Sequence, residues 1–331
     1  MDEKNRISKP VFILGSHKSG TTLMRSLLDG HSKLAVLPFE THVFRHLNRW
    51  IEYPYQKNIP GEISPELFIE SAIQWIKKVN SNQDPYADKR IGLEIDEEAF
   101  NTEIKRICTM DLPNLISTYY RAVLKAVNLN GQSDTGRIVE KSVEQAEYAI
   151  DLKNAFPDAI FIHMIRNPYA NFLSIRKYKG ALKYPDLEPI SKALFSSYYY
   201  LYRNRHLIDT YHVVRYEDLV SNTREVMKNI SAALEINFEK ETLVPTSNGI
   251  LWEGNSVTNK KFNSVTAERI KFDQSDIKEI EKEIVNKYFS KVLEDFNYPE
   301  INRNKSILRK NRDEDIKTYI KNRSIILSHQ L

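Results

Sequence analysis

A single cysteine, Cys108, occurs in the 331 residues of this chain, so no internal disulfide can form. Without a partner residue for a triad, Cys108 is expected to be a buried small apolar group. Glycine and proline are scarce, at 10 and 13, and no low-complexity stretch or internal repeat occurs, which excludes a linker-like or solenoid chain. No apolar run approaches the roughly 18 residues that a membrane span needs. The polar start MDEKNRISKP lacks the apolar centre of a secretory signal. Together these absences suit a cytoplasmic protein. Charge of one sign is also missing, since 48 Lys and Arg against 44 Asp and Glu leave only +4. With no basic repeat, RNA-binding signature or zinc-finger spacing, nucleic acid is not the expected partner, and a small anionic ligand accounts for the surplus.

What is present centres on VFILGSHKSGTTLMRSLLDGH, from Val11 to His31. Val11 to Leu14 read as a buried strand, and Leu23, Met24, Leu27 and Leu28 recur at helical spacing until Asp29-Gly30. Between strand and helix lie Gly15, Ser16, His17, Lys18, Ser19, Gly20, Thr21 and Thr22. Amides, hydroxyls and an ammonium group therefore converge on the positive end of a helix dipole, a place that binds phosphate. The glycine spacing is that of a GxxxxGK[ST] loop, but Thr21 stands where the lysine belongs and Lys18 lies inside the loop. Such a loop suits a donor less charged than a magnesium triphosphate. His17 has no Cys, His or Asp at ligand spacing and is read as part of the loop, not as a metal ligand.

Further along, Leu34 to Leu37 read as a short strand, and residues from about 44 to 130 as a helical insertion rich in aromatics, among them Trp50, Tyr53, Tyr55, Trp75, Phe100, Tyr119 and Tyr120. Most of these are expected to pack in the core. Strands are read at Arg137 to Lys141, Ala159 to Ile165 and His212 to Tyr216. Helices are read at Val143 to Ala155, from Pro168 to about Lys177, and from about Ser191 to Ile208. Strands alternating with helices predict an α/β fold: a P-loop-like three-layer α/β/α arrangement with a central parallel sheet, one domain over 1–300 and a basic tail or helix over 301–331. Ligands of such sheets sit at the carboxyl ends of the strands, which here carry Ser16, Lys18, Lys141, Arg166 and Tyr216.

The segment G-S-x-K-S-G-T-T-L resembles the 5′-phosphosulfate loop of sulfotransferases that use 3′-phosphoadenosine-5′-phosphosulfate. Arg166, followed by Asn-Pro and a helix bearing Ser174, is similar to the 3′-phosphate motif of that family; a guanidinium fork matches phosphate oxygens better than an ammonium does. The resemblance implies that this nucleotide is the co-substrate, that adenosine 3′,5′-bisphosphate is the product, and that no metal is required. Two separate anion sites at neighbouring strand ends also fit that donor and not ATP. Lys141, in V-E-K-S, looks like the second lysine of the tyrosylprotein and glycan branch. Glu40, in P-F-E-T-H, resembles that branch's general base, with one additional residue before it, and His42 is its rival. Lys18 and Lys141 would then steady the bridging and sulfuryl oxygens. R-Y-E-D-L at Arg215 resembles a segment whose tyrosine, here Tyr216, lies near the nucleotide. G-N-S at Gly254 resembles the loop that closes on the 3′-phosphate through Ser256 and one of Lys260, Lys261 or Lys271. The implied acceptor is a hydroxyl or amine of a carbohydrate or peptide tyrosine, among wider possibilities. An atypical P-loop kinase and a nucleotide-binding module without turnover are the alternatives, and oligomeric state is not legible.

Overall fold

A computed structural model of the chain describes residues 6–49, 63–81, 93–127, 136–181, 188–254, 264–267 and 270–302. Strand β1 (Val11–Gly15) leads through the glycine-rich loop into α1 (Thr21–Leu28), followed by β2 (Leu34–Val36) and α2 (Val43–His46). Three helices come next, α3 (Pro65–Asn80), α4 (Glu97–Ile104) and α5 (Leu112–Ala126), before β3 (Arg137–Lys141). Then follow α6 (Ala149–Ala155), β4 (Ile160–Ile165), α7 (Pro168–Ala181), α8 (Glu188–Leu207) and β5 (Tyr211–Arg215). The rest comprises α9 (Tyr216–Ser221), α10 (Thr223–Ala233), the hairpin β6 (Thr246–Ser247) and β7 (Ile250–Leu251), α11 (Glu279–Tyr288) and α12 (Ser290–Asp295).

The five strands β1 to β5 form one parallel sheet in the order β2-β3-β1-β4-β5. Strand β1 is central and buried on both faces because its side chains alternate: Val11 and Ile13 pack with Leu27, Leu28 and Met227, while Phe12 and Leu14 pack with Phe44, Tyr119 and Phe156. A third apolar group joins α7 and α8 to α11 and α12 through Tyr169, Leu201, Phe289 and Leu293. Sheet and helices thus make three layers. With β3 on one side of β1 and β4 on the other, the carboxyl ends of these strands border a common crevice, where ligands of such sheets bind.

Local chemistry explains the helix starts. Ser64 accepts from Leu67 N ahead of Pro65, and the Asp96 and Asp111 carboxylates cap α4 and α5. Asn167 Oδ1 accepts from Tyr169 N at 3.0 Å, with Pro168 in the first turn of α7.

The structure alters some readings. The single helix expected over Val143–Ala155 is a 3₁₀ turn at Val143–Ala146 followed by α6, because Gln145 N and Tyr148 N donate three residues back, to Ser142 O and Gln145 O. Cys108, expected inside, is exposed; in the turn between α4 and α5 it is Ile107 that is buried. Trp75, Phe100, Tyr119 and Tyr120 are buried core residues, as expected. Trp50, Tyr53, Tyr55 and the tail from 303 lie outside the described residues.

Candidate active site

Two glycines let the loop after β1 turn tightly. Gly15 has φ 142°, and a β-carbon there would lie 2.5 Å from Met164 O of β4. Gly20 has φ 101°, and a β-carbon there would meet Tyr216 Cδ2 at 2.6 Å. Lys18 also takes a left-handed conformation, φ 61°. Inside the loop, Ser19 Oγ donates to Ser16 O at 2.7 Å and Asn171 Nδ2 of α7 donates to Ser16 Oγ at 2.5 Å. The Ser16 and Ser19 hydroxyls therefore hold the loop's shape, while Lys18, Thr21 and Thr22 line the pocket at the first turn of α1, whose amides have no earlier helical turn to donate to.

Arg166 follows β4 and reaches across to this loop, with Nη1 donating to Lys18 O at 3.1 Å. Its guanidinium lies 4.7 Å from the Tyr216 ring centroid, so Tyr216 supports both Gly20 and Arg166. Burial makes the Arg166 charge less favourable and lowers its pKa, while the neighbouring Tyr216 and Glu217 oppose that shift. An open pocket lies over these groups, lined by Lys18, Gly20, Thr21 and Thr22 together with Arg166, Ser174 and Tyr216. The two stretches that resembled separate phosphate motifs thus border one space.

Gly254, which opens the G-N-S segment, lines the same pocket; the β6–β7 hairpin before it, and the lining residues Trp252 and Thr266, were not read from the sequence. The hairpin turns at Asn248 and Gly249, with φ 51° and 74°, and is fixed by the buried Asp29 carboxylate, which accepts from Thr246 Oγ1, Asn248 N and Gly249 N at 2.7, 3.2 and 3.0 Å. Asn-Gly was the available signal, but strands of two residues show no periodicity. Tyr178 was also missed: its ring centroid is 4.8 Å from Lys18 Nζ. It stands four residues after Ser174, on the same helix face. Lys271 is exposed and does not line the pocket; Ser256, Lys260 and Lys261 lie outside the described residues.

Beside the loop, Lys141 ends β3 in register with Ile13 of β1. Its buried ammonium forms an ion pair with Glu40 Oε1. Burial pushes the Glu40 carboxyl up, but Lys141, His42 and His17 of the loop outweigh it and hold the pKa at about 2. His42 is buried and edge-on to Trp75, with ring centroids 4.8 Å apart, and its Nε2 is 3.6 Å from Glu40 Oε2. His42 is thus no hydrated surface residue: Trp75, on α3, covers it. Trp75 Nε1 also donates to Glu40 O at 3.1 Å. Glu140, the residue before Lys141, is buried and accepts from Thr41 N, Thr41 Oγ1 and Ser142 Oγ, so its carboxylate braces the segment behind the site.

Sheet order, loop and pocket define a P-loop-like three-layer α/β/α protein. The profile described as the sulfotransferase family matches residues 10–240. The chain belongs to the sulfotransferase family, and its general chemistry is sulfuryl transfer. Among solved structures it is similar to the sulfotransferase domain of the Synechococcus PCC 7002 olefin synthase, at 20% identity over 89% of this chain and 96% of that one, TM-score 0.51. It is likewise similar to the sulfotransferase domain from the curacin biosynthetic pathway, at 18% identity over 89% and 99%, TM-score 0.55. At these identities the likeness concerns the fold. No curated protein matches the sequence.

Proposed function

We propose that the protein transfers a sulfuryl group from 3′-phosphoadenosine-5′-phosphosulfate to an acceptor hydroxyl or amine, with Glu40 as general base. The observation that carries this reading is the approach of Arg166 to the Lys18 carbonyl within a single pocket that also holds Thr21, Thr22 and Ser174. One nucleotide with anions at both its 5′ and 3′ sides fits such a pocket. The loop and Lys18 would hold the 5′ end; Arg166 and Ser174 would hold the 3′-phosphate, with Tyr216 behind the guanidinium.

When bound, the donor supplies an electrophilic sulfur with a phosphate leaving group. Lys18 and Lys141 offset the charge that grows on the bridging and sulfuryl oxygens. Glu40, ionised at neutral pH, takes the acceptor proton. Its resting pKa of about 2 makes it a weak base while Lys141 is paired with it; once Lys141 turns toward the sulfuryl group, Glu40 loses that partner and its basicity rises. The Glu40–Lys141 pair supports placing the protein near the tyrosylprotein and glycan branch, with a carbohydrate or peptide tyrosine as acceptor and α2 to α5 as the acceptor side. Engagement of Glu140 by Thr41 and Ser142 weighs against a kinase, which needs a strand-end carboxylate free for magnesium.

The test is a transfer assay with labelled sulfuryl donor against a panel of glycan, tyrosyl-peptide and phenolic acceptors, beside the same assay with Mg-ATP. Sulfuryl transfer that is lost on Lys18→Ala supports the proposal; phosphoryl transfer alone overturns it.

A further inference from the structure

We propose that His42 is a positioning residue for Glu40, and that its neutral imidazole is the form in which Glu40 can take the acceptor proton. This rests on the reading of Glu40 as the base. Glu40 is held at three points: Lys141 pairs with Oε1, His42 Nε2 stands 3.6 Å from Oε2, and Trp75 Nε1 donates to the main-chain oxygen at 3.1 Å. The second and third contacts come from separate elements, the segment entering α2 and the helix α3: Trp75 fixes the Glu40 main chain, and His42 stands beside Oε2 when Lys141 leaves Oε1.

Lys141 is the partner that leaves, because its charge is needed on the sulfuryl group. Oε1 is then the free oxygen and Oε2 stays on His42. In the transfer step the acceptor oxygen bonds to sulfur, the bond from sulfur to the bridging phosphate oxygen breaks with its electron pair on the phosphate, and the acceptor proton passes to Oε1. A second cation held against Oε2 would oppose that last move. Of the two basic neighbours that contact the carboxylate, only an imidazole can lose its charge near neutral pH.

The position is built for this. His42 has φ 50°, a conformation rare outside glycine and asparagine, and its main-chain N donates to Ser142 Oγ at 3.3 Å. The groups facing it from each element are Glu40 on its own segment, Arg45 and His46 of α2, Trp75 of α3, Ser142 with Glu140 behind it after β3, and His17 of the loop, which bears on the same carboxylate. His46 is kept neutral, its pKa lowered to about 3 by burial and then by His42 and Arg45. His42 and His17 are the imidazoles whose charge bears on Glu40.

The test uses the full chain labelled with ¹³C at glutamate carboxyls, the Glu40 signal being assigned by its loss in Glu40→Gln. The expected result is an inflection in the Glu40 carboxyl shift in the imidazole range, between about pH 5 and 8, that disappears in His42→Asn and persists in His17→Gln. Asparagine tolerates the left-handed backbone, so His42→Asn keeps the turn. A wild-type titration without that inflection overturns the proposal before any variant is made, as does an inflection that His42→Asn leaves unchanged. The reading of Glu40 as base fails separately, if Glu40→Gln retains full turnover in the transfer assay; a brace that only supported the fold would leave the Glu40 titration unmoved.

Discussion

At the scale of single residues, Glu40 and Gly20 carry the sharpest expectations. General-base catalysis contributes about 10²- to 10⁴-fold, so Glu40→Gln should raise the barrier by roughly 3 to 5 kcal/mol, seen in kcat while adenosine 3′,5′-bisphosphate still binds. Gly20→Ala places a β-carbon 2.6 Å from the Tyr216 ring at φ 101°. That conformation alone costs roughly 1–3 kcal/mol, and the displaced ring also supports Arg166, so nucleotide affinity measured by calorimetry should fall along with melting temperature. The loop and Arg166 were legible because their chemistry is local: glycine spacing, a lysine, a strand-end arginine before Asn-Pro. The burial of His42 was not, because its cover, Trp75, arrives from 33 positions further along the chain. Cys108 was misjudged because its residue type suits the interior, whereas in its turn Ile107 faces the core and Cys108 the solvent.

At the scale of elements, α7 does two jobs. Its first half supplies Asn171 to the loop and Ser174 to the pocket; its second half anchors the C-terminal helices through an ion pair between the buried Arg176 and Glu281, with Arg176 Nη2 also donating to Asp276 O at 2.8 Å. Removing one partner of a buried pair leaves the other charge uncompensated at about 3–5 kcal/mol. Glu281→Ala should therefore lower unfolding free energy by about that much in urea titrations. The double replacement Arg176→Met with Glu281→Leu should recover most of it. Strand positions were easy to read, since Arg137–Lys141 and Ile160–Ile165 are continuous apolar or half-buried runs of the length a strand needs. The hairpin after α10 was invisible to the same reasoning, because Asp29, far away in sequence, makes it a hairpin.

At the scale of the whole molecule, pH acts on stability through its titrating groups, among them two buried histidines and the Glu40 carboxylate. His46 Nε2 donates to Thr41 O and its Nδ1 accepts from Ser71 Oγ, and His163 sits between Tyr211 Oη and Ser197 Oγ. Burial lowers both pKa values from the ordinary 6.5 to about 3. The unfolded chain therefore binds protons first, and stability should fall as pH drops from about 6.5 toward 3, by up to about 1.4 kcal/mol per pH unit for each histidine. Glu40 contributes in a lower window: its stabilisation is present above its ordinary 4.5 and is lost as pH falls toward 2. Urea unfolding at pH 7, 6 and 5 checks the histidine contribution, and His163→Gln should flatten it.

The account's central claim is that one pocket holds both anionic ends of a single nucleotide. Calorimetric affinities for adenosine 3′,5′-bisphosphate and adenosine 5′-monophosphate, in the wild type and in Arg166→Ala, test it most directly. A charge-assisted hydrogen bond contributes about 1.5–3 kcal/mol, so the wild type should prefer the bisphosphate by roughly 10- to 100-fold, and Arg166→Ala should erase that preference. Equal affinities in the wild type, or a preference that survives the loss of Arg166, would contradict it.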